Sequence, residues 1–289
     1  MACALDDGTL SIIMPAKNEA STISAVVAEA RREYPAAEII VVDDGSSDET
    51  GQLAKDASAT VVRHPVSLGN GAAVKSGARA ARGTLLVFMD ADGQHRASEI
   101  ATLLKSLDDG FDMVVGARSA GSHASAGRFL ANGFYNAFAS LISGHRVRDL
   151  TSGFRAVRAE LFRRFIYLLP NGFSYPTTIT MAFLRSGYSV DFVPVTAERR
   201  IGKSHIRPVQ DGIRFLAIIF KITTLYSPLK VFLPLSLIFF TTGLIYYGYT
   251  YVTMGRFTNM SLLVFSASVI IFLIGLISEQ ITALTYSKS

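Results

Sequence analysis

At 289 residues, with one cysteine, no tryptophan and a formal charge of +5, the chain has room for one large domain plus an appendage, and it excludes an intrachain disulfide scaffold. Hydrophobic residues make up 49% and the mean hydropathy is +0.33, high for a wholly soluble enzyme. The excess sits at the C-terminal end, so composition predicts a soluble domain followed by apolar spans.

The first ten residues, MACALDDGTL, are short and acidic, which predicts no signal peptide, and the lone Cys3 agrees with a reducing compartment. An apolar run, LSIIMPA, predicts the first strand, and NEASTISAVVAEARREYP has helical periodicity up to Pro35. AEIIVVDDGS is a second buried strand, and SSDETGQLAKDA opens a helix with serine and acidic residues in its first turn. ATVVRH, the helix around GNGAAVKSGARAA, and the strand TLLVFMDAD follow. This alternation predicts a parallel, doubly wound sheet with its ligands at the carboxyl ends of the strands. The polar clusters PAKNE, DDGSSD and DADGQH fall at three such ends.

Further on, FDMVVGAR is a strand, AGRFLANGFYNAFASLIS a helix with a wide apolar face, and DLTSGFRAV a polar turn leading into a short strand or helix. YPTTITMAFLRSGY and SVDFVPVT predict another helix and strand. RPVQDGIRFLAIIFKITTLY is weakly amphipathic, and either lies in a membrane interface or packs on the protein's own core. Val231 to Val252 and Phe257 to Ser278 carry no charge, and each reaches the ~20 residues that cross a bilayer core. The organisation expected is a domain over 1–205, a juxtamembrane helix over 206–228, and two transmembrane helices within 229–289, at about 230–252 and 258–284. Arg199, Arg200, Lys203, Arg207, Arg214, Lys221 and Lys230 precede the first span, whereas the intervening loop has only Arg256. That asymmetry predicts a cytosolic catalytic domain on an inner or plasma membrane. The basic cluster lacks interleaved aromatics, so anionic lipid is the expected partner and nucleic acid is not.

Several clusters admit two readings. Asp90 and Asp92, at i and i+2 in MDADGQH, share a face of an extended chain, and either hold a divalent cation with a diphosphate or end a strand in a solvated turn. Asp43 and Asp44 either accept bonds from a nucleoside or belong to an N-cap run with Ser46, Ser47 and Asp48. In SLGNGAAVKSG the glycines either pack a helix or, with Lys75, meet a phosphate. Arg118, Arg128, Arg155, Arg199 and Lys203 either face solvent or clamp phosphate. His64, His123 and His145 have no second ligand at metal spacing and read as structural, while His95 follows Gln94 towards the expected cleft.

Taken in order, PAKNE, VVDDGSSDET, GNGAAVKSG, MDADGQH, GAR, DLTSGFR and RRIGKS span residues 12–205. That series resembles family 2 glycosyltransferases of the dolichol-phosphate mannose synthase type, including bacterial polyprenyl-phosphate glycosyltransferases. The resemblance implies an α/β GT-A fold (Rossmann-like, mostly parallel sheet) followed by a two-helix transmembrane hairpin. It implies that Pro15, Ala16, Glu19 and Asp44 hold the nucleoside, with Arg199 and Lys203 closing over the donor; Asn18, Asp43 and Lys75 join them as candidate nucleotide-sugar-binding residues. Asp90, Asp92 and Gln94 would hold Mg²⁺ or Mn²⁺ with the diphosphate, and Arg118, Arg128, Asn132 and Ser152 the acceptor phosphate. Two positions depart: Lys17 stands where the family's usual first motif has tyrosine, and Asn132 where the member best matched near Arg128 has a serine one turn on.

The expected reaction moves a hexose from a UDP- or GDP-sugar to polyprenyl phosphate. That acceptor oxygen is already anionic, so Asp92 and Arg118 act by positioning and charge, and single displacement gives a β-linked product. The alternative is a hydroxyl acceptor with Asp149 as base. A processive synthase with its Q-x-x-R-W sequence is excluded by the absence of tryptophan. Packing of the spans between protomers makes a homo-oligomer an open expectation.

Overall fold

Runs of Val, Ile and Leu build seven strands: β1 (Leu10–Ala16), β2 (Glu38–Asp43), β3 (Thr60–Arg63), β4 (Leu85–Phe88), β5 (Met113–Arg118), β6 (Arg155–Arg158) and β7 (Val190–Val195). The structure, a computed structural model, describes residues 10–118, 126–172, 174–196, 224 and 226–287, with residues 126–132 and 287 as backbone only. The strands form one sheet in the order β3-β2-β1-β4-β6-β5-β7. Pairing is parallel throughout, except that β6 runs antiparallel to both β4 and β5. The central strands are apolar without alternation because helices cover both faces: Leu85, Leu86, Val87 and Phe88 are all buried.

The helices of this unit are α1 (Ile23–Glu33), α2 (Thr50–Asp56), α3 (Asn70–Ala80), α4 (Ile100–Asp108), α5 (Ala126–Ser143), α6 (Ala159–Arg164) and α7 (Tyr175–Arg185). In α1, Ile23, Val26, Val27 and Ala30 form the buried stripe at i, i+3, i+4 and i+7, while Arg31 and Arg32 occupy the last turn, where the helix dipole favours them. The helix starts later than its periodicity predicts because residues 18–20 are held in a hydrogen-bonded turn. The expected elements omit α4, although Ile100, Leu103, Leu104 and Leu107 give it a plain helical stripe. They also leave the type of the segment after TSG undecided, and it is the antiparallel β6.

The chain divides into two compact units, Met1–Pro208 and Val209–Ser289. The helix expected over 206–228 lies almost wholly outside the described residues. Within the second unit α8 (Leu229–Met254) and α9 (Asn259–Ser287) are each long and apolar enough to cross a membrane. Gly255, with φ 64° and its amide donated to Tyr251 O (3.0 Å), ends α8 in the left-handed conformation that favours glycine and reverses the chain. The helices pack antiparallel: Ser268 Oγ donates to Ser236 O (3.0 Å) and Thr282 Oγ1 to Thr224 O (2.9 Å). A Cβ on Gly275 would lie 2.5 Å from Phe232 Cβ, so this crossing admits no side chain there. Glu279 accepts the Leu229 amide (3.2 Å) and the Ser227 hydroxyl (3.3 Å), capping α8 from its partner helix. Leu237, Ile245, Val252, Leu263 and Ile277 are among many large apolar side chains left exposed here, as lipid contact requires. The chain is membrane-anchored through this hairpin.

Candidate active site

The turns after β1, β2 and β4 are bonded into one body. Asn18 takes φ 56°, a conformation that asparagine tolerates better than most residues. The turn presents the amides of Asn18, Glu19 and Ala20 to Ser46 Oγ (3.0 Å), Thr50 Oγ1 (2.8 Å) and Asp48 Oδ2 (3.3 Å). Asn18 Oδ1 in return accepts the Ser47 amide at 2.9 Å. Thr22 Oγ1 donates to Ala91 O (2.8 Å), which ties the same turn to the DAD segment. Three polar clusters far apart in sequence thereby share one rigid sheet edge. Pro15 and Ala16 form the last rungs of β1 opposite Val42 and Asp43.

Asp43 and Asp44 differ sharply. Asp43 is 1% exposed; Oδ1 accepts the Ser46 amide (2.9 Å), while Oδ2 has no hydrogen bond and lies 3.4 Å from Arg63 Nε. Asp44 holds the loop that follows β3. Oδ1 faces His64 Nδ1 (2.7 Å) and accepts the Leu68 amide (2.8 Å); Oδ2 accepts Ser67 Oγ (2.7 Å) and the Gly69 amide (2.9 Å). Burial raises its pKa, but His64, Leu68, Ser67 and Gly69 outweigh burial and bring it down to about 2. His64, read as solitary from sequence, also reaches Ser76 Oγ through Nε2 (2.9 Å). Lys17, at the position that departs from the motif, is exposed and donates to Ser67 Oγ (2.9 Å).

Asp90 and Asp92 follow β4, both half-buried, and the Gln94 amide donates to Asp92 Oδ1 (3.1 Å). The antiparallel β6 completes this part of the edge. In a parallel sheet only carboxyl ends of strands reach the ligand side, so β6 alone brings its beginning there. The register Phe88↔Arg155, extended by two residues, sets Gly153 opposite Asp90. A Cβ on Gly153 would sit 3.2 Å from Asp90 Oδ2 and 3.5 Å from the Tyr175 hydroxyl, so glycine lets that carboxylate approach the backbone. On the other side Val115↔Arg155 and the Gly116 amide to Phe154 O (2.9 Å) carry Ser152 towards Arg118.

Arg118 ends β5 in a two-pronged ion pair: Nε donates to Asp149 Oδ2 (2.8 Å) and Nη2 to Asp149 Oδ1 (3.1 Å) and Thr151 Oγ1 (2.7 Å). Asp149 further accepts the amides of Arg118 (3.3 Å) and Thr151 (3.1 Å). Burial raises the Asp149 pKa, but Arg118 more than offsets it and the carboxyl is lowered. Burial likewise works against the Arg118 charge, and Asp149 reverses that. With both oxygens engaged, Asp149 is unsuited to the general-base role expected for a hydroxyl acceptor. Arg118 keeps Nη1 free of hydrogen bonds among the described residues, so it presents a single prong.

Lys75 also departs from its expected role. Its ammonium donates to Leu169 O (3.0 Å) and Asn171 Oδ1 (2.6 Å), and burial followed by the neighbouring Arg79 lowers its pKa. The α3 N-terminus is covered: the Ala72 amide donates to Asn171 O (3.1 Å), and a Cβ on Gly71 would collide with Pro170 O. The glycines of GNGAAVKSG serve helix packing. His95 is 5% exposed and stacked on Phe154 at 4.7 Å; burial, then Arg118, hold its pKa down to about 4, so it is neutral at physiological pH.

Arg128 and Asn132 lie in α5 where side chains are outside the described residues, and so do Arg199 and Lys203 entirely. The structure adds to the edge residues that the sequence did not single out: Thr22, Ser67, Gly153 and Tyr175. Of these, Gly153 lies in DLTSGFR and Ser67 opens SLGNGAAVKSG. Arg155, grouped from sequence with solvated or phosphate-facing arginines, is instead 0% exposed within the sheet.

Residues 11–167 match the family described as Glycosyl transferase family 2, and residues 227–284 the one described as GtrB C-terminal hairpin. The polyprenol monophosphomannose synthase of Mycolicibacterium smegmatis is 32% identical over 209 residues, 67% of this chain and 79% of that one. Glycosyltransferase AglJ of Haloferax volcanii is 29% identical over 94% of this chain and 93% of its own. The undecaprenyl-phosphate mannosyltransferase of Micrococcus luteus is 29% identical over 66% and 85%. Among solved structures, glucosyl-3-phosphoglycerate synthase from Mycobacterium tuberculosis, in complex with Mn²⁺, uridine diphosphate and phosphoglyceric acid, superposes with a TM-score of 0.60 at 23% identity, covering 74% of this chain and 78% of that one.

Proposed function

This chain belongs to glycosyl transferase family 2 and is a glycosyltransferase, and from that premise we propose that it transfers a hexose from a nucleotide sugar to polyprenyl phosphate with inversion. The observation that carries the reading is the single hydrogen-bonded edge on which Asp43, Asp44, Asp90, Asp92 and Arg118 arrive together. The names of the mycobacterial and micrococcal relatives support a polyprenyl phosphate acceptor. Pro15, Ala16, Asn18, Glu19 and Asp43 would line the nucleoside side. Asp44 would act there through the Ser67–Gly69 loop that it holds.

The donor set at Asp90 and Asp92 suits a divalent cation. Two hard carboxylates stand on one turn, and Gly153 leaves room beside Asp90. Among the described residues no group of three His, Cys, Asp or Glu side chains forms an all-protein cage. Mg²⁺ or Mn²⁺ takes its remaining ligands from diphosphate and water in such sites. When bound, the cation would neutralise the departing nucleoside diphosphate. Arg118 would offer Nη1 to the acceptor phosphate, held in place by Asp149 and Thr151, with Ser152 beside it. The phosphate oxygen is anionic at neutral pH and needs no base, which agrees with an Asp149 whose lone pairs are all engaged. Arg128, Asn132, Arg199 and Lys203 keep their sequence-based roles in this proposal. The basic residues before α8 would hold the catalytic unit on the cytosolic face of the plasma or inner membrane.

Purified full-length protein in detergent, given undecaprenyl phosphate, Mn²⁺ or Mg²⁺ and a panel of UDP- and GDP-sugars, tests this directly. A glycolipid detected by mass spectrometry with one donor, and lost with EDTA, is the expected result. Transfer only to hydroxyl acceptors would overturn it.

A further inference from the structure

β6 buries an arginine that its strand pairing does not explain. Arg155 is 0% exposed; Nη1 donates to Pro176 O (3.1 Å) and Thr180 Oγ1 (3.3 Å), Nη2 to Ser152 O, and Nε has no partner. Among the described residues it makes no ion pair. A buried guanidinium without a bonded carboxylate is strongly unfavourable unless fixed negative charge stands near it. Burial works against the Arg155 charge, and Asp149 and Asp90 are the carboxylates that oppose it; the Tyr175 hydroxyl, its pKa raised by burial, is neutral. Asp149 is already bound through both oxygens by Arg118. Asp90 is the carboxylate that meets the same strand, at Gly153.

The geometry links them through the two peptides that flank Gly153. Arg155 holds the Ser152 carbonyl, the Tyr175 hydroxyl donates to Gly153 O (3.5 Å), and Asp90 approaches Gly153 at its Cβ position. The guanidinium carbon lies 5.7 Å from the Tyr175 ring centroid, so stacking and hydrogen bonds fix the charge in place. A fixed positive charge behind a cation site has a definite sign of effect. It opposes a free divalent cation and attracts the anionic diphosphate.

We propose that Arg155 is a positioning residue of the Asp90 cation site, making it weak for the free cation and strong for the nucleoside diphosphate. The enzyme thus takes up its cation as the nucleotide complex. This rests on the reading of Asp90 and Asp92 as cation and diphosphate ligands.

The test uses full-length protein in detergent. Binding of Mn²⁺ alone is followed by the paramagnetic resonance of the free ion, and binding of UDP and GDP at saturating Mn²⁺ by calorimetry. Arg155→Met and Arg155→Gln are expected to bind Mn²⁺ alone on the order of tenfold more tightly, and the favoured diphosphate on the order of tenfold more weakly. Arg155→Lys keeps the charge and should match wild type in both within about twofold. A merely structural arginine cannot give tighter cation binding when removed, so unchanged or weaker Mn²⁺ binding by a folded neutral variant overturns the proposal. Where the neutral variants do not fold, Arg155→Lys decides, and a Mn²⁺ affinity shifted by about fivefold or more despite the retained charge overturns it. A wild type that binds no Mn²⁺ even with nucleotide overturns the functional reading and this proposal together.

Discussion

Replacing Asp149 by asparagine separates the positioning role assigned to it from the base role that the sequence admits. The substitution keeps the side-chain shape and one acceptor oxygen but removes the charge from a two-pronged pair whose side chains are 9% and 30% exposed. Charge-assisted hydrogen bonds contribute about 1.5–3 kcal/mol each. Water can re-solvate the more exposed Arg118, so the net loss should be about 2 kcal/mol, below the roughly 3–5 kcal/mol for breaking a fully buried pair. For a unit of this size that lowers the thermal midpoint by roughly 4–8 °C. A mis-held Arg118 should raise the KM for polyprenyl phosphate and lower kcat/KM by about 10- to 100-fold, with no change in the shape of the pH–rate profile. The assay is transfer to polyprenyl phosphate between pH 5 and 9, with circular dichroism melting on the same samples. A loss of about 10⁴ in kcat at unchanged KM, with the acid limb of the profile abolished, would mean that Asp149 takes a proton and would refute the argument. The sign for stability is also fixed: Asp149 is held below its ordinary 3.8, so its contribution is full above that value and fades as the pH falls below it.

Other outcomes follow from neighbouring contacts. Asp44, lowered from 3.8 to about 2, should contribute about 2 kcal/mol that is present above pH 4 and lost as acid titrates it, so Asp44→Asn should flatten the fall of melting temperature between pH 4 and 2. Lys75→Met should lower the melting temperature by loosening residues 169–171 while leaving the donor KM within about twofold; a donor KM raised tenfold or more would restore the phosphate contact. Asp92→Asn should abolish cation-dependent transfer without lowering the melting temperature. In the hairpin, Gly275→Val would drive a branched side chain into Phe232, and limited proteolysis of detergent-solubilised protein should show the two helices cleaved faster than in wild type.

Much of the architecture was readable because its signals are local. Strand runs such as LSIIMPA and EIIVVD have no polar alternation, and buried parallel strands need none. The uncharged spans likewise declare α8 and α9. The placing of polar clusters at strand ends was readable too, since Asp90 and Asp92 do follow β4. The site was less readable where a side chain's partner is set by topology. Nothing in VVDDGS says that Asp44 will collect His64, Ser67, Leu68 and Gly69, because those bonds exist only once β3 lies beside β2. Lys75 near glycines looks like a phosphate contact until Asn171 arrives from almost a hundred residues away. Arg155 is the strongest instance: arginines are usually solvated, and only an antiparallel strand inserted between β4 and β5 puts this one in the interior.

That inserted strand also orders events during synthesis. β4 and β5 are complete by Arg118, yet neither can pair with the other, because the place between them belongs to residues made much later. Until Arg158 has left the ribosome, both strands carry unsatisfied edges, and such edges are prone to pairing wrongly. The strand that closes this gap is the one that delivers Gly153 and Ser152 to the ligand side. A chain truncated before β6 therefore lacks the Gly153 and Ser152 side of the candidate site, while the turns after β1, β2 and β4 are already made.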